Sequence, residues 1–77
     1  MEQYIVRKIT KKSDKKIYHK FFDKKDKEIT DKTLLKKALE GFYIPPAYDD
    51  VKIDLNRSHK VHAIGYDEKK RPQYIYN

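Results

Sequence analysis

The chain has no cysteine and no tryptophan, only two glycines and three prolines, and no long apolar run. Without cysteine, neither a disulfide nor a thiolate metal site can reinforce the fold, and a reducing, intracellular setting fits. With glycine only at Gly41 and Gly65, a Gly-rich phosphate-cradling loop is excluded. The hydrophobic runs are too short to span a bilayer, and the N-terminus lacks the apolar core of a signal peptide. No long basic amphipathic helix offers itself to a lipid surface. The sequence is therefore expected to have no membrane partner.

Cations and tyrosines are plentiful. Nineteen Lys and Arg against twelve Asp and Glu leave a formal charge of +7 in 77 residues. That excess points to a polyanionic partner, nucleic acid first. Seven tyrosines and three phenylalanines argue against a disordered basic tail. The length allows one small domain near the lower limit for a stand-alone core.

Residues 3–10 are rich in β-branched and aromatic side chains and read as a strand. The polar run 11–16 reads as a turn, 17–22 as the next strand and 23–28 as a charged connection. Thr30 or Asp31 can cap a helix. Leu34, Leu35, Ala38 and Leu39 recur at helical spacing, and Gly41 suits the left-handed position after the last turn. These signals place a helix at about 31–40. Pro45-Pro46 excludes regular helix or central strand, so residues 42–48 should lie extended and pinned across the core by their aromatics. Asp49-Asp50 reads as a turn or a helix cap.

Residues 51–55 alternate strictly and form the clearest half-buried strand. Residues 56–59 are its turn and 60–66 the next strand. The run 67–70 reads as a hairpin turn, with the final strand behind it. The expected fold class is α+β, a single antiparallel sheet of about five strands with one principal short helix.

Catalytic chemistry is not evident. His59 and His62 fall on opposite faces of a strand, and His19 stands apart from both, so no metal site is expected. No nucleophile sits in an evident context with a base, and the carboxylates are interleaved with lysines. No cofactor is expected.

The most suggestive stretch is the last. Lys69, Lys70 and Arg71 can neutralise phosphates, the Tyr74 and Tyr76 hydroxyls can bond them, and the Gln73 amide can read an adenine edge. In a regular strand Tyr74 and Tyr76 share one face while Gln73 takes the other. Gln73 joins the tyrosines at DNA only if the backbone beside Pro72 is irregular. The plainer alternative is a Tyr-rich strand packed on the core behind a solvated turn.

Two segments carry a family resemblance. Phe42 to Tyr48 is similar to the "IPPAW/IPPAY" segment of type IB DNA topoisomerases of the poxvirus and bacterial kind. Gly65 to Tyr76 resembles that family's "GxDxxGRxQYxY" segment, and Val51 to Ala63 looks like the strand pair between. The likeness runs from about Tyr18 to Asn77. Lys70 departs from the family's usual Gly, and Pro72 from its frequent Arg or Lys. The resemblance implies the amino-terminal domain of a larger enzyme, lying over the major groove of duplex DNA. Its other expected partner is a carboxy-terminal catalytic domain of the same chain. That domain would carry the tyrosine that forms a 3′-phosphotyrosyl intermediate during supercoil relaxation, without metal or ATP. The implied setting is intracellular DNA metabolism of bacterial or viral origin, with the protein a monomer. The competing reading from charge and aromatics alone is an autonomous small RNA-binding or ribosome-associated protein.

Overall fold

The computed structural model describes residues 2–76. Five strands, β1 (Tyr4–Lys12), β2 (Ile17–Asp23), β3 (Asp49–Asp54), β4 (Val61–Tyr66) and β5 (Pro72–Tyr76), form one sheet, and α1 (Lys32–Leu39) lies between β2 and β3 in the chain. The sheet order is β2-β1-β3-β4-β5, and all four pairings are antiparallel. This is the α+β class expected from the sequence.

Strand alternation separates the two faces. Ile5, Val51, Ile53 and Ala63 point to one side and are buried together with Ala38 of α1 and Ile44. Phe21, Leu35, Leu39, Tyr48 and Ile75 close around them. The helix and residues 42–48 thus cover one face only.

Asp31 is the N-cap, its side chain accepting the N–H groups of Thr33 and Leu34 at 3.0 and 3.2 Å. Gly41 takes φ 79° beyond the C-cap Glu40, the left-handed geometry that favours glycine. Arg57 completes the helix end from the β3–β4 turn. Its Nη2 donates to the Lys37 and Glu40 carbonyls, both at 2.8 Å, and its guanidinium lies 4.7 Å from the centre of the Phe42 ring.

The Pro-Pro segment is pinned as expected, with Tyr48 packed on the core and Phe42 stacked on His62, and a cation adds to this. Arg7 is buried on the covered face and donates to the carbonyls of Ile44, Pro45 and Tyr48 at 3.3, 2.8 and 3.2 Å. The His19 ring pairs with the Pro46 carbonyl at 2.8 Å. Proline gives this segment no N–H at two positions, so its carbonyls must find side-chain donors.

Two local readings change. Lys11 and Lys12 belong to β1, paired with Tyr18 and Ile17 past a bulge; cross-strand pairing overrides their polarity. Asp49 and Asp50 open β3 rather than a turn or cap. Asp50 stands at φ 47° where the β3–β4 register shifts, and Asp49 Oδ1 accepts the N–H groups of Asp50 and Ile9, both at 2.8 Å. The short-range bonding that suits Asp to turns here supports a β-bulge.

Candidate nucleic-acid interface

Among the described residues no helix lies over the second face of the sheet. One line of paired residues crosses all five strands: Phe22, Val6, Lys52, Ile64 and Tyr74. Tyr4, Lys8, Tyr18, Lys20, Tyr66 and Tyr76 stand on the same side. Lys8 lies 5.8 Å from the Phe22 ring centre and Lys52 lies 5.2 Å from that of Tyr4. Aromatic rings with ammonium groups laid over them therefore face outward. Asp23, Asp26 and Asp50 border the shallow hollow around Tyr4, Val6 and Lys52, so the surface is mixed in charge along one margin.

Tyr74 and Tyr76 are 51 % and 65 % exposed, so neither is a core residue, whereas Gln73 and Ile75 alternate toward the covered side. Gln73 pairs with Gly65 in the ladder. A Cβ at Gly65 would come within 2.9 Å of Val51 Cγ2 on the covered side. The strand is regular beside Pro72, and Gln73 does not join the tyrosine face. Its Nε2 donates to Asp67 Oδ2 at 3.1 Å.

The β4–β5 turn holds the three cations. The Lys70 N–H reaches the Asp67 carbonyl at 2.9 Å and the Asp67 N–H the Arg71 carbonyl at 3.1 Å. Lys70 takes φ 60°, a left-handed conformation that glycine adopts without strain. Asp67 Oδ1 accepts the N–H groups of Lys69 and Arg71, each at 2.9 Å, while Oδ2 accepts Arg71 Nε at 2.9 Å. These bonds, the Arg71 backbone N–H foremost, hold the Asp67 carboxyl down at about 2 despite its partial burial.

The register also brings the two hairpin tips to the same end of the sheet. Asp49 pairs with Tyr66 just before the β4–β5 turn, and β1 runs past Ile9 toward the β1–β2 turn. Lys12 and Lys70 line one groove there, which Asp49, Asp50, Asp67 and Glu68 also line. Lys11, Lys12, Lys15 and Lys16 are all exposed. Sequence reasoning assigned no role to these four, nor to Lys8, Lys20 and Lys52. The alternation of cation and aromatic along β1 and β2 was a readable signal for Lys8 and Lys20, but the strand order that puts them on one face with β5 was not.

The histidines are dispersed. His62 is fully buried beside a register shift in β4, stacked on Phe42 at 3.7 Å, with Nε2 donating to the Ala38 carbonyl at 2.9 Å. His59 Nδ1 pairs with the buried Asp54 carboxylate. Among the described residues no group of three or more His, Cys, Asp or Glu is placed to hold a metal ion, and no helix is long and apolar enough to cross a membrane.

A small basic α+β domain with one covered sheet face and one open aromatic face is the class these features define. The family model for the N-terminal domain of bacterial DNA topoisomerase IB matches residues 18–67, and the chain belongs to that family. The matched span ends at Asp67, so the candidate residues of the β4–β5 turn and β5 lie beyond it. No curated protein and no solved structure matches the chain.

Proposed function

We propose that this chain is the duplex-DNA-gripping amino-terminal domain of a type IB DNA topoisomerase. The observation that carries the reading is the open sheet face, edged by the exposed Tyr74 and Tyr76 and ending in two basic hairpin tips. Family membership supports it independently. In this reading Lys69, Lys70 and Arg71 meet phosphates, and the Tyr74 and Tyr76 hydroxyls add directed bonds with less charge. Lys8, Lys20 and Lys52 extend the cationic surface across the sheet. Gln73 enters through Asp67 rather than with the tyrosines. Reading a base edge would require its amide to leave that carboxylate.

The parent enzyme would relax supercoils through a 3′-phosphotyrosyl intermediate on a carboxy-terminal catalytic domain, in intracellular DNA metabolism. This domain would act as a monomer, without cofactor, and have no cleavage activity alone. Fluorescence anisotropy with a labelled short duplex over a salt series tests the grip. Affinity should fall linearly on a log–log plot, with a slope of about −0.9 per neutralised phosphate. A flat salt response, or preference for single-stranded over duplex competitor, would remove the reading.

A further inference from the structure

Two turns of this fold are built alike. At 23–27, the Asp26 N–H reaches the Asp23 carbonyl at 3.0 Å and the Asp23 N–H the Lys27 carbonyl at 2.8 Å. Asp23 Oδ1 accepts the N–H groups of Lys25 and Lys27 at 2.8 and 3.0 Å, and Asp26 stands at φ 64°. At 67–71 the same pattern recurs with Asp67, Lys69, Lys70 and Arg71. Closing such a turn uses only Oδ1 of the aspartate.

The second oxygen separates the two. Asp67 Oδ2 accepts Arg71 Nε at 2.9 Å and Gln73 Nε2 at 3.1 Å. Among the described residues no side-chain donor reaches Asp23. The Nε contact fixes the plane of the Arg71 guanidinium. Its two terminal amino groups have no partner among the described residues, and the side chain is 66 % exposed. A guanidinium held this way presents a two-pronged donor suited to a phosphate. Charge alone disfavours the arrangement, because a carboxylate beside a phosphate-seeking cation repels the polyanion.

We infer that Asp67 is a positioning residue of the DNA interface: its Oδ2 aims the Arg71 guanidinium outward, and the Gln73 amide clips that oxygen in place. The inference rests on the DNA-binding reading above.

Two substitutions with the same charge change separate positioning from electrostatics. Asp67→Asn and Asp23→Asn each remove one negative charge at one of two like turns. Anisotropy at fixed salt with a labelled mixed-sequence duplex should show D67N weaker by about two- to tenfold, the range for losing the preorganisation of one long side chain. D23N should bind as well as the parent or tighter. In an Arg71→Ala background D67N should no longer weaken binding, since nothing remains to aim. D67N binding as tightly as D23N, or weakening equally in the R71A background, overturns the inference.

Gln73→Leu guards against a disrupted turn, because it releases the clip without altering charge or any turn bond. It should weaken binding to every duplex sequence alike; unchanged binding, or a loss confined to one sequence, overturns the inference. If the parent chain shows no salt-sensitive duplex binding, the DNA-binding reading falls and this inference with it. If the parent binds and D67N does not weaken, this inference alone falls.

Discussion

Arg7 Nη2 donates to the Pro45 carbonyl at 2.8 Å, joining the middle of the sheet to the segment that crosses it. Arg7 as a whole residue is 7 % exposed, and burial lowers its pKa, with the Asp49 carboxylate opposing that shift. Arg7→Met should keep most of the packing volume but orphan the carbonyls of Ile44, Pro45 and Tyr48. A loss of about 1.5–3 kcal/mol is expected, the range for hydrogen bonds to charged groups. Urea denaturation checks this, and an unchanged midpoint would show the segment held by its aromatics alone.

Lys70→Gly should lower DNA affinity without lowering stability. Left-handed backbone costs a non-glycine residue about 1–2 kcal/mol, offset by about 0.5–1 kcal/mol of extra chain entropy for glycine. The net expectation is a domain as stable as the parent or stabler by up to about 1.5 kcal/mol. Duplex binding should weaken, and the salt slope should shrink by about one if Lys70 neutralises a phosphate. Melting and anisotropy on one preparation decide the matter.

Tyr74→Phe and Tyr76→Phe remove only hydroxyls from exposed rings. Both variants should melt like the parent, and duplex binding should weaken by about 0.5–1.5 kcal/mol for each lost bond. Binding by both at the parent's affinity would leave the open face without a role for those hydroxyls.

Acid should destabilise the domain in two steps. Burial first of all lowers the His62 pKa below 6.5; Arg57 adds to this, while the Ala38 carbonyl and Asp54 oppose it. The unfolded chain therefore takes up the proton first. The stability associated with neutral His62 is complete above about pH 6.5 and declines below it toward the depressed folded value. His62→Gln, which keeps a donor for Ala38, should flatten that limb. Asp67 contributes to the second step together with Asp23 and Asp54, whose carboxyls are also lowered. The folded Asp67 pKa of about 2 lies below 3.8, so its contribution is present above pH 3.8 and is lost as pH falls toward 2. Equilibrium unfolding as a function of pH reads both limbs, and a flat response between pH 7 and 5 would contradict the buried neutral imidazole.

Purified chain incubated with supercoiled plasmid should leave it supercoiled, with or without a chelator. Relaxation that copurifies with the chain through further chromatography would place catalytic groups within these 77 residues.

Local chemistry made much of this protein legible in advance. The alternation of 51–53, the helical spacing of Leu35, Ala38 and Leu39, the Asp31 cap and Gly41 are all decided within a few residues, whereas the expected alternation fails at 54–55, where Asp54 is buried and Leu55 lies exposed beyond β3. So is the opposite facing of Gln73 and Tyr74, because strand side chains alternate whatever lies beside them. The sequence also carried the family likeness of residues 18–67. Tertiary structure decided what depends on strand order and on which face is covered. Pairing with β2 drew Lys11 and Lys12 into β1, and the bulge at Asp50 made a strand of a turn signal. The buried guanidinium of Arg7 found its acceptors about forty residues away in the chain. No local pattern sets a partner that distant, because such a contact exists only once the sheet has formed. The two basic tips share one end, and Asp67 binds Arg71 and Gln73 through one oxygen, for the same reason: antiparallel register fixes which ends and which side chains meet.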